Sequence, residues 1–285
     1  MRPKARIAPV SVEHYENFPV ASFLCPPALR PAVTAIYHYA RTADDLADEG
    51  SAAAAQRLAD LADYRADLDA VAGGAAPSGR WPAVFGPLAV QMRRFALPRP
   101  LLNDLLDAFE QDVRDPPYPD RAALLDYCRR SANPIGRLLL HLYGVNDAES
   151  LRRSDAICSA LQLINFWQDL GVDAARGRFY VPRDELRAAG LSLDELAQRQ
   201  DSPTLRALVR RLCDWAGELM RAGAPLAPSL PGRAGWELRL VVQGGLRILE
   251  KIAAMDHATV RSRPTLSAAD APRLLWRAWR MDARR

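Results

Sequence analysis

Apolar residues recur at helical spacing through nearly every long segment of this chain, and no stretch alternates apolar and polar residues as a half-buried strand does. That property restricts the fold to an all-α assembly. Helices are expected at 26–49, 51–72, 83–96, 100–113, 120–143, 147–171, 203–222, 234–254 and 268–281. Gly50 is the expected stop of the first and Gly73-Gly74 of the second. Serine–acid pairs mark two further starts, Ser192 with Glu195 and Ser267 with Asp270. Pro134 falls inside the apolar run Leu124 to Leu142 and should kink or interrupt it. The connections at 73–82 and 223–233 are short and no repeat emerges. One domain is therefore expected over 1–285, with its core at about 12–265 and a basic C-terminal helix at about 267–281.

Two acidic segments stand out on this helical background: Asp44-Asp45-Leu46-Ala47-Asp48-Glu49, and the run from Asn165 to Asp173. In each, carboxylates recur at i and i+4 and so leave one side of a helix. Tyr37, Arg41, Asp44 and Asp48 form one stripe; Gln162, Asn165, Asp169 and Asp173 form the other. The second stripe runs through Ile157, Leu161, Leu163, Ile164, Phe166 and Trp167. Amides and carboxylates on so apolar a helix must face a polar or hydrated space, because unpaired buried charge is very costly. Two such walls suit hard cations such as Mg2+, which takes oxygen ligands and bridges carboxylates to a substrate phosphate. Arg41 is then available to a phosphate oxygen. The plainer readings are a solvated stripe with an Arg41–Asp45 ion pair, and a buried hydrogen-bond network between helices. Arg176-Gly177-Arg178-Phe179-Tyr180-Val181-Pro182 follows directly, either closing over an anion or forming a basic loop before a proline stop.

Composition removes several other classes. Lys and Arg number 38 against 34 Asp and Glu, too balanced a charge to argue for nucleic acid. Cys25, Cys128, Cys158 and Cys213 are widely spaced, which indicates neither a disulfide framework nor a zinc site and fits a reducing, cytoplasmic setting. No Glu stands three residues before His14, His38, His141 or His257, so the Glu-x-x-His pairs of di-iron bundles are absent. Met1 to Val10 lacks the apolar stretch of a secretory signal, and no window reaches the roughly eighteen apolar residues of a membrane span.

Taken together, these residues resemble the squalene/phytoene synthase family, the head-to-head isoprenyl diphosphate synthases, from about His14 to about Arg263. The resemblance is carried by the run 37–49, by Asp126-Tyr127-Cys128, by Gln162-Leu163-Ile164-Asn165 through Asp173, and by 176–182. It implies an isoprenoid-synthase helical bundle around a central cavity and an isoprenoid diphosphate substrate. It also implies Mg2+ held by Asp44, Asp48, Asn165, Asp169 and Asp173, with phosphate contacts from Arg41 and Arg178. Tyr37 and Gln162 are expected against the substrate.

Three departures bear on the reaction. Tyr15-Glu16-Asn17-Phe18 stands where many members have Ser-x-Ser-Phe, Ser131-Ala132-Asn133-Pro134 replaces a Val-Ala-Gly patch, and Gly245 replaces a tyrosine. The whole pattern resembles the hydroxysqualene synthase branch of the bacterial hopanoid pathway, which ionises presqualene diphosphate and lets water capture the rearranged cation. Tyr127, Asn133 and Asn17 are the candidates for placing that water. Phe18, Phe23, Leu138, Leu142, Leu161 and Ile164 are candidates for the hydrocarbon pocket, although residues of these types are ordinarily simple core. A squalene, dehydrosqualene or phytoene synthase condensing two prenyl diphosphates stays open, as does a non-catalytic helical partner of an isoprenoid enzyme. The stretch Arg273 to Arg280 is basic and amphipathic; it either lies on an anionic membrane surface or packs its Trp face on the domain.

Overall fold

The structure is a computed structural model, described here for residues 25–281. Asn17, Phe18 and Phe23 lie outside the described residues. Within them every regular element is helical: α1 (Arg30–Asp48), α2 (Ala54–Ala72), α3 (Pro82–Phe95), α4 (Arg99–Arg114), α5 (Arg121–Ser131), α6 (Asn133–Leu142), α7 (Ala148–Gln168), α8 (Leu170–Ala175), α9 (Arg183–Ala188), α10 (Leu193–Ala197), α11 (Pro203–Gly223), α12 (Leu226–Ser229), α13 (Gly232–Ala254) and α14 (Ala271–Arg280), the last preceded by a 3-10 turn at Ala268–Asp270.

Capping chemistry sets many of these ends. Asp120, Asp147 and Ser202 accept backbone N–H groups at the starts of α5, α7 and α11, and Ser192 and Ser267 form the expected reciprocal pairs with Glu195 and Asp270. The first helix begins at Arg30 rather than at Pro26. Pro31 has no N–H to give to a preceding turn, so it is accommodated only within the first turn, and 26–29 form a turn instead. Pro134 interrupts its run as expected: α5 stops at Ser131, and α6 restarts with Pro134 in its first turn. The expected helix 147–171 is likewise divided, at Asp169, although Asp169 N–H still reaches Asn165 O and Asp173 N–H reaches Asp169 O. The short helices α9 and α12 carry too few residues for a period to be read from sequence.

Two apolar clusters organise the chain. One joins α1, α2, α3 and α4 with Leu138 and Leu142 of α6, around the packed rings of Tyr39, Tyr64 and Phe85. The Tyr39 and Tyr64 hydroxyls donate to the carbonyls of Leu102 and Tyr39, so these polar atoms are buried without loss. The other cluster surrounds α7, with α5, α11 and α13 against it. Close approach to α7 depends on glycine: a Cβ on Gly136 of α6 would sit 2.6 Å from Cys158 Sγ, and one on Gly223 of α11 would sit 2.6 Å from Arg153 O. Thus the first acidic stripe lies on a helix of one cluster and the second on the central helix of the other. Helices α4, α5 and α6 pack between them.

Candidate active site

The two acidic segments are joined by an arginine. Arg178, in the loop after α8, donates from Nη1 to Asp48 Oδ2 at 2.7 Å and from Nη2 to Asp48 Oδ1, across 130 residues of chain. Asp169, at the α7–α8 junction, is gripped the same way by Arg263 Nε and Nη2, the latter at 3.2 Å. These are bidentate pairs in which a planar fork matches a carboxylate. Gly171 makes the second pair reachable. Its α-carbon lies so near the Val260 carbonyl that a Cβ would overlap it, and this contact holds the segment carrying Arg263 beside Asp169.

Further acids share the region. Burial raises the Asp112 carboxyl on α4 to about 7, with the charges of Asp48 and Asp44 adding to it; Tyr127 Oη, donating at 3.0 Å, and Arg178 act against the rise. Burial also lifts Asp173 to about 7, reinforced first by Asp169 and, more weakly, by Asp48. The Arg178 guanidinium is held in its charged form first by its hydrogen bonds to Asp48, with Asp112 contributing. Carboxylates from α1, α4 and the α7–α8 junction therefore feel one another, with Arg178 among them. The Tyr127 hydroxyl stays protonated, because burial and the neighbouring Asp112 both oppose its ionisation.

Beside the acids lies an aromatic wall. Phe166 of α7 stacks on Tyr180 at 3.8 Å between centroids and 8°, Tyr118 stacks on Tyr180 at 6.0 Å, and Tyr127 meets Tyr118 edge-on at 5.6 Å. Ring faces with their negative quadrupole next to a polar cluster can stabilise a cation.

The sequence-derived residues do not all share one place. Asp48, Asp169, Asp173, Arg178 and Tyr127 are brought into the cluster, with Asp44 close enough for its charge to act on Asp112. Arg41 divides its guanidinium among acids of its own helix end, at 3.0 Å from Asp44, 2.7 Å from Asp45 and 2.8 Å from Glu49. The Arg41–Asp45 ion pair of the plainer reading is thus present. Tyr37, Gln162 and Asn165 are half-buried on the expected helices, and Tyr37 meets the His38 ring edge-on. Buried Asn133 accepts a hydrogen bond from Ser159 at 3.0 Å, one turn before Gln162 on α7. Leu138, Leu142 and Ile164 are core, and Leu161 packs against it. Gly245 sits under Met220, Leu161 and Ile164 with a Cβ position only 2.8 Å from Met220 Cε, so a tyrosine there would require these side chains to move.

Asp112 and Arg263 were missed as site residues. Asp112 had a legible signal: Leu105, Ala108 and Asp112 lie at i, i+3 and i+7, so a carboxylate continues the buried stripe of α4. Arg263 had none, since its role depends on the Gly171 contact.

Among the described residues no three His, Cys, Asp or Glu side chains come together closely enough to hold a metal ion. Asp48 and Asp169 are each paired with an arginine, Arg178 and Arg263. The donor chemistry nonetheless fits a hard divalent cation, because every donor is oxygen. Asp112 and Asp173 hold their protons to about 7, raised first by burial and then by neighbouring carboxylates, and a bound cation would favour their charged forms.

Comparison with known proteins gives a consistent family. The squalene/phytoene synthase family profile matches residues 12–279. The hydroxysqualene synthase of Rhodopseudomonas palustris is 35% identical over 86% of this chain and 82% of its own length. The presqualene diphosphate synthase of Zymomonas mobilis is 34% identical over 74% of this chain and 70% of its own. The crystal structure of squalene synthase HpnC from Alicyclobacillus acidocaldarius superposes with a TM-score of 0.78 at 36% identity, covering 86% of this chain and 90% of that one. With its all-helical fold and its acid–arginine cluster, the chain belongs to the squalene/phytoene synthase family and is an enzyme acting on prenyl diphosphates.

Proposed function

We propose that this enzyme is a hydroxysqualene synthase: it ionises presqualene diphosphate and captures the rearranged cation with water, releasing hydroxysqualene, diphosphate and a proton. The observation that carries this reading is the similarity to a hydroxysqualene synthase over most of both chains. In the reaction the carbon–oxygen bond to diphosphate breaks with both electrons on the departing oxygen. The cyclopropylcarbinyl cation rearranges, and a water oxygen bonds to it and loses a proton.

Mg2+, when bound, supplies positive charge against the diphosphate, and Asp44, Asp48, Asn165, Asp169 and Asp173 are the residues assigned to hold it. Arg178 and Arg263, which pair with Asp48 and Asp169, would take diphosphate oxygens on releasing them and so neutralise the leaving group. The stacked rings of Phe166, Tyr180 and Tyr118 shield and stabilise the cation. Tyr127, oriented by Asp112, and Asn133, oriented by Ser159, are assigned to placing the water. Replacing Asn133 with Ala and measuring the ratio of alcohol to other products tests that assignment. An unchanged ratio at normal turnover removes Asn133 from it.

Incubating the enzyme and Mg2+ with presqualene diphosphate or farnesyl diphosphate, with and without NADPH, tests the reaction itself. Hydroxysqualene from presqualene diphosphate alone is the expected result. Turnover of farnesyl diphosphate alone would instead support a synthase that condenses two prenyl diphosphates.

A further inference from the structure

The exposed large hydrophobic side chains among the described residues are Val90, Val172, Trp236, Leu275, Trp276 and Trp279. Four of these six belong to α14 and the first turns of α13. Helix α14 is seated on α13 by its small side: Ala278 is fully buried, Arg277 pairs with Glu250, and Arg239 Nη1 donates to the Ala278 carbonyl at 3.4 Å. That seating turns Leu275, Trp276 and Trp279 outward, at 55%, 55% and 67% exposure. They occur at i, i+1 and i+4 and so form one continuous stripe. Arg239 also lies 5.3 Å from the half-exposed Trp236 ring, so one arginine of α13 touches both α14 and Trp236. Packing of the Trp face on the domain, one of the two readings of this segment, is therefore not what α14 does.

The net charge around the stripe is positive. Residues 271–281 contain Arg273, Arg277 and Arg280 and no acid. Arg280 lies over the Trp276 ring at 4.9 Å, at the edge of the apolar stripe. The acids paired with this helix and its flank are outnumbered by cations, Glu250 meeting Arg247, Arg273 and Arg277, and Asp270 meeting Arg247 and Lys251. Tryptophans flanked by arginines match the boundary of an anionic bilayer, where a ring is buried while its N–H and the neighbouring cations stay wet. No helix among the described residues is long and apolar enough to cross a membrane, so such a contact is peripheral.

We infer that α14, with the Trp236 turn of α13, docks on the surface of an anionic phospholipid bilayer. The test is sedimentation of the full chain with vesicles of phosphatidylcholine, alone or mixed with phosphatidylglycerol. Binding is expected only to the mixed vesicles, weakening with salt, with the Trp emission shifted to the blue and quenched by brominated acyl chains. Trp276→Ser with Trp279→Ser should lower the bound fraction by roughly tenfold or more while detergent-assayed turnover is unchanged. Should that variant fail to fold, Arg280→Glu, which alters charge without removing an apolar group, should weaken binding to the mixed vesicles. Absence of vesicle binding would overturn the inference, as would binding that survives these substitutions. A concentration-dependent dimer abolished by the tryptophan substitutions, without vesicle binding, would assign the face to a second copy of the chain.

Discussion

Asp112→Asn should make the metal-free protein more stable and the enzyme slower. Asp112 carries a pKa of about 7 in the folded chain against an ordinary value of 3.8, because burial and neighbouring Asp48 and Asp44 oppose its charge. The folded state therefore keeps a proton that the unfolded chain gives up near pH 4. Stability accordingly falls as pH rises from about 4 to about 7 and stays low above that. Three pK units correspond to about 4 kcal/mol, and the share specific to this carboxyl after relaxation is about 2–4 kcal/mol at pH 8. Asparagine is neutral at every pH, and its oxygen can still accept the Tyr127 hydroxyl. The variant should thus match the parent near pH 4 and melt roughly 5–10 °C higher at pH 8, in chelator and without substrate. At pH 8, where Asp112 is charged, turnover should fall roughly tenfold or more, because an uncharged partner holds Tyr127 less firmly. Thermal denaturation of both proteins across this pH range is the assay. A melting difference that does not grow with pH, or a variant less stable at pH 8, would refute the argument.

Arg178→Lys keeps the charge but loses the fork that spans both Asp48 oxygens; kcat/KM should drop roughly 10- to 100-fold while KM for Mg2+ changes less, as steady-state kinetics would reveal. Gly171→Ala places a methyl group into the Val260 carbonyl and should cost about 2 kcal/mol or more. Chemical denaturation would measure that loss, and retained stability would mean the 259–263 segment is not held as described. Because Asp112 and Asp173 hold protons to about 7, Mg2+ binding at pH 6.5 should release roughly one proton. Calorimetry in buffers of different ionisation heat would detect it, and release should vanish near pH 9.

Much of the helical frame was readable because apolar period, proline position and capping are local properties. Pro134 marked its own break, and Ser192 marked the start of α10. The acidic stripes were legible for the same reason: a carboxylate on an apolar helix face announces a polar neighbour. Which group supplies that neighbour was not legible. Arg178 reaches Asp48 from 130 residues away, and Arg263 reaches Asp169 only because Gly171 admits the Val260 backbone. These are tertiary contacts with no sequence period. Asp112 shows the opposite case, a local signal present in the apolar stripe of α4 and overlooked because it stood alone. The seating of α14 could not be decided from its amphipathic pattern, which is the same whether the Trp face turns in or out.

The central claim is that one acid–arginine site ionises a preformed presqualene diphosphate and that water ends the reaction. Turnover of presqualene diphosphate in heavy-oxygen water, with Mg2+ and no reductant, tests it directly by mass spectrometry of the product. The account predicts hydroxysqualene whose hydroxyl oxygen comes from the solvent. A hydrocarbon product, an unlabelled alcohol, or turnover that requires only farnesyl diphosphate would contradict it.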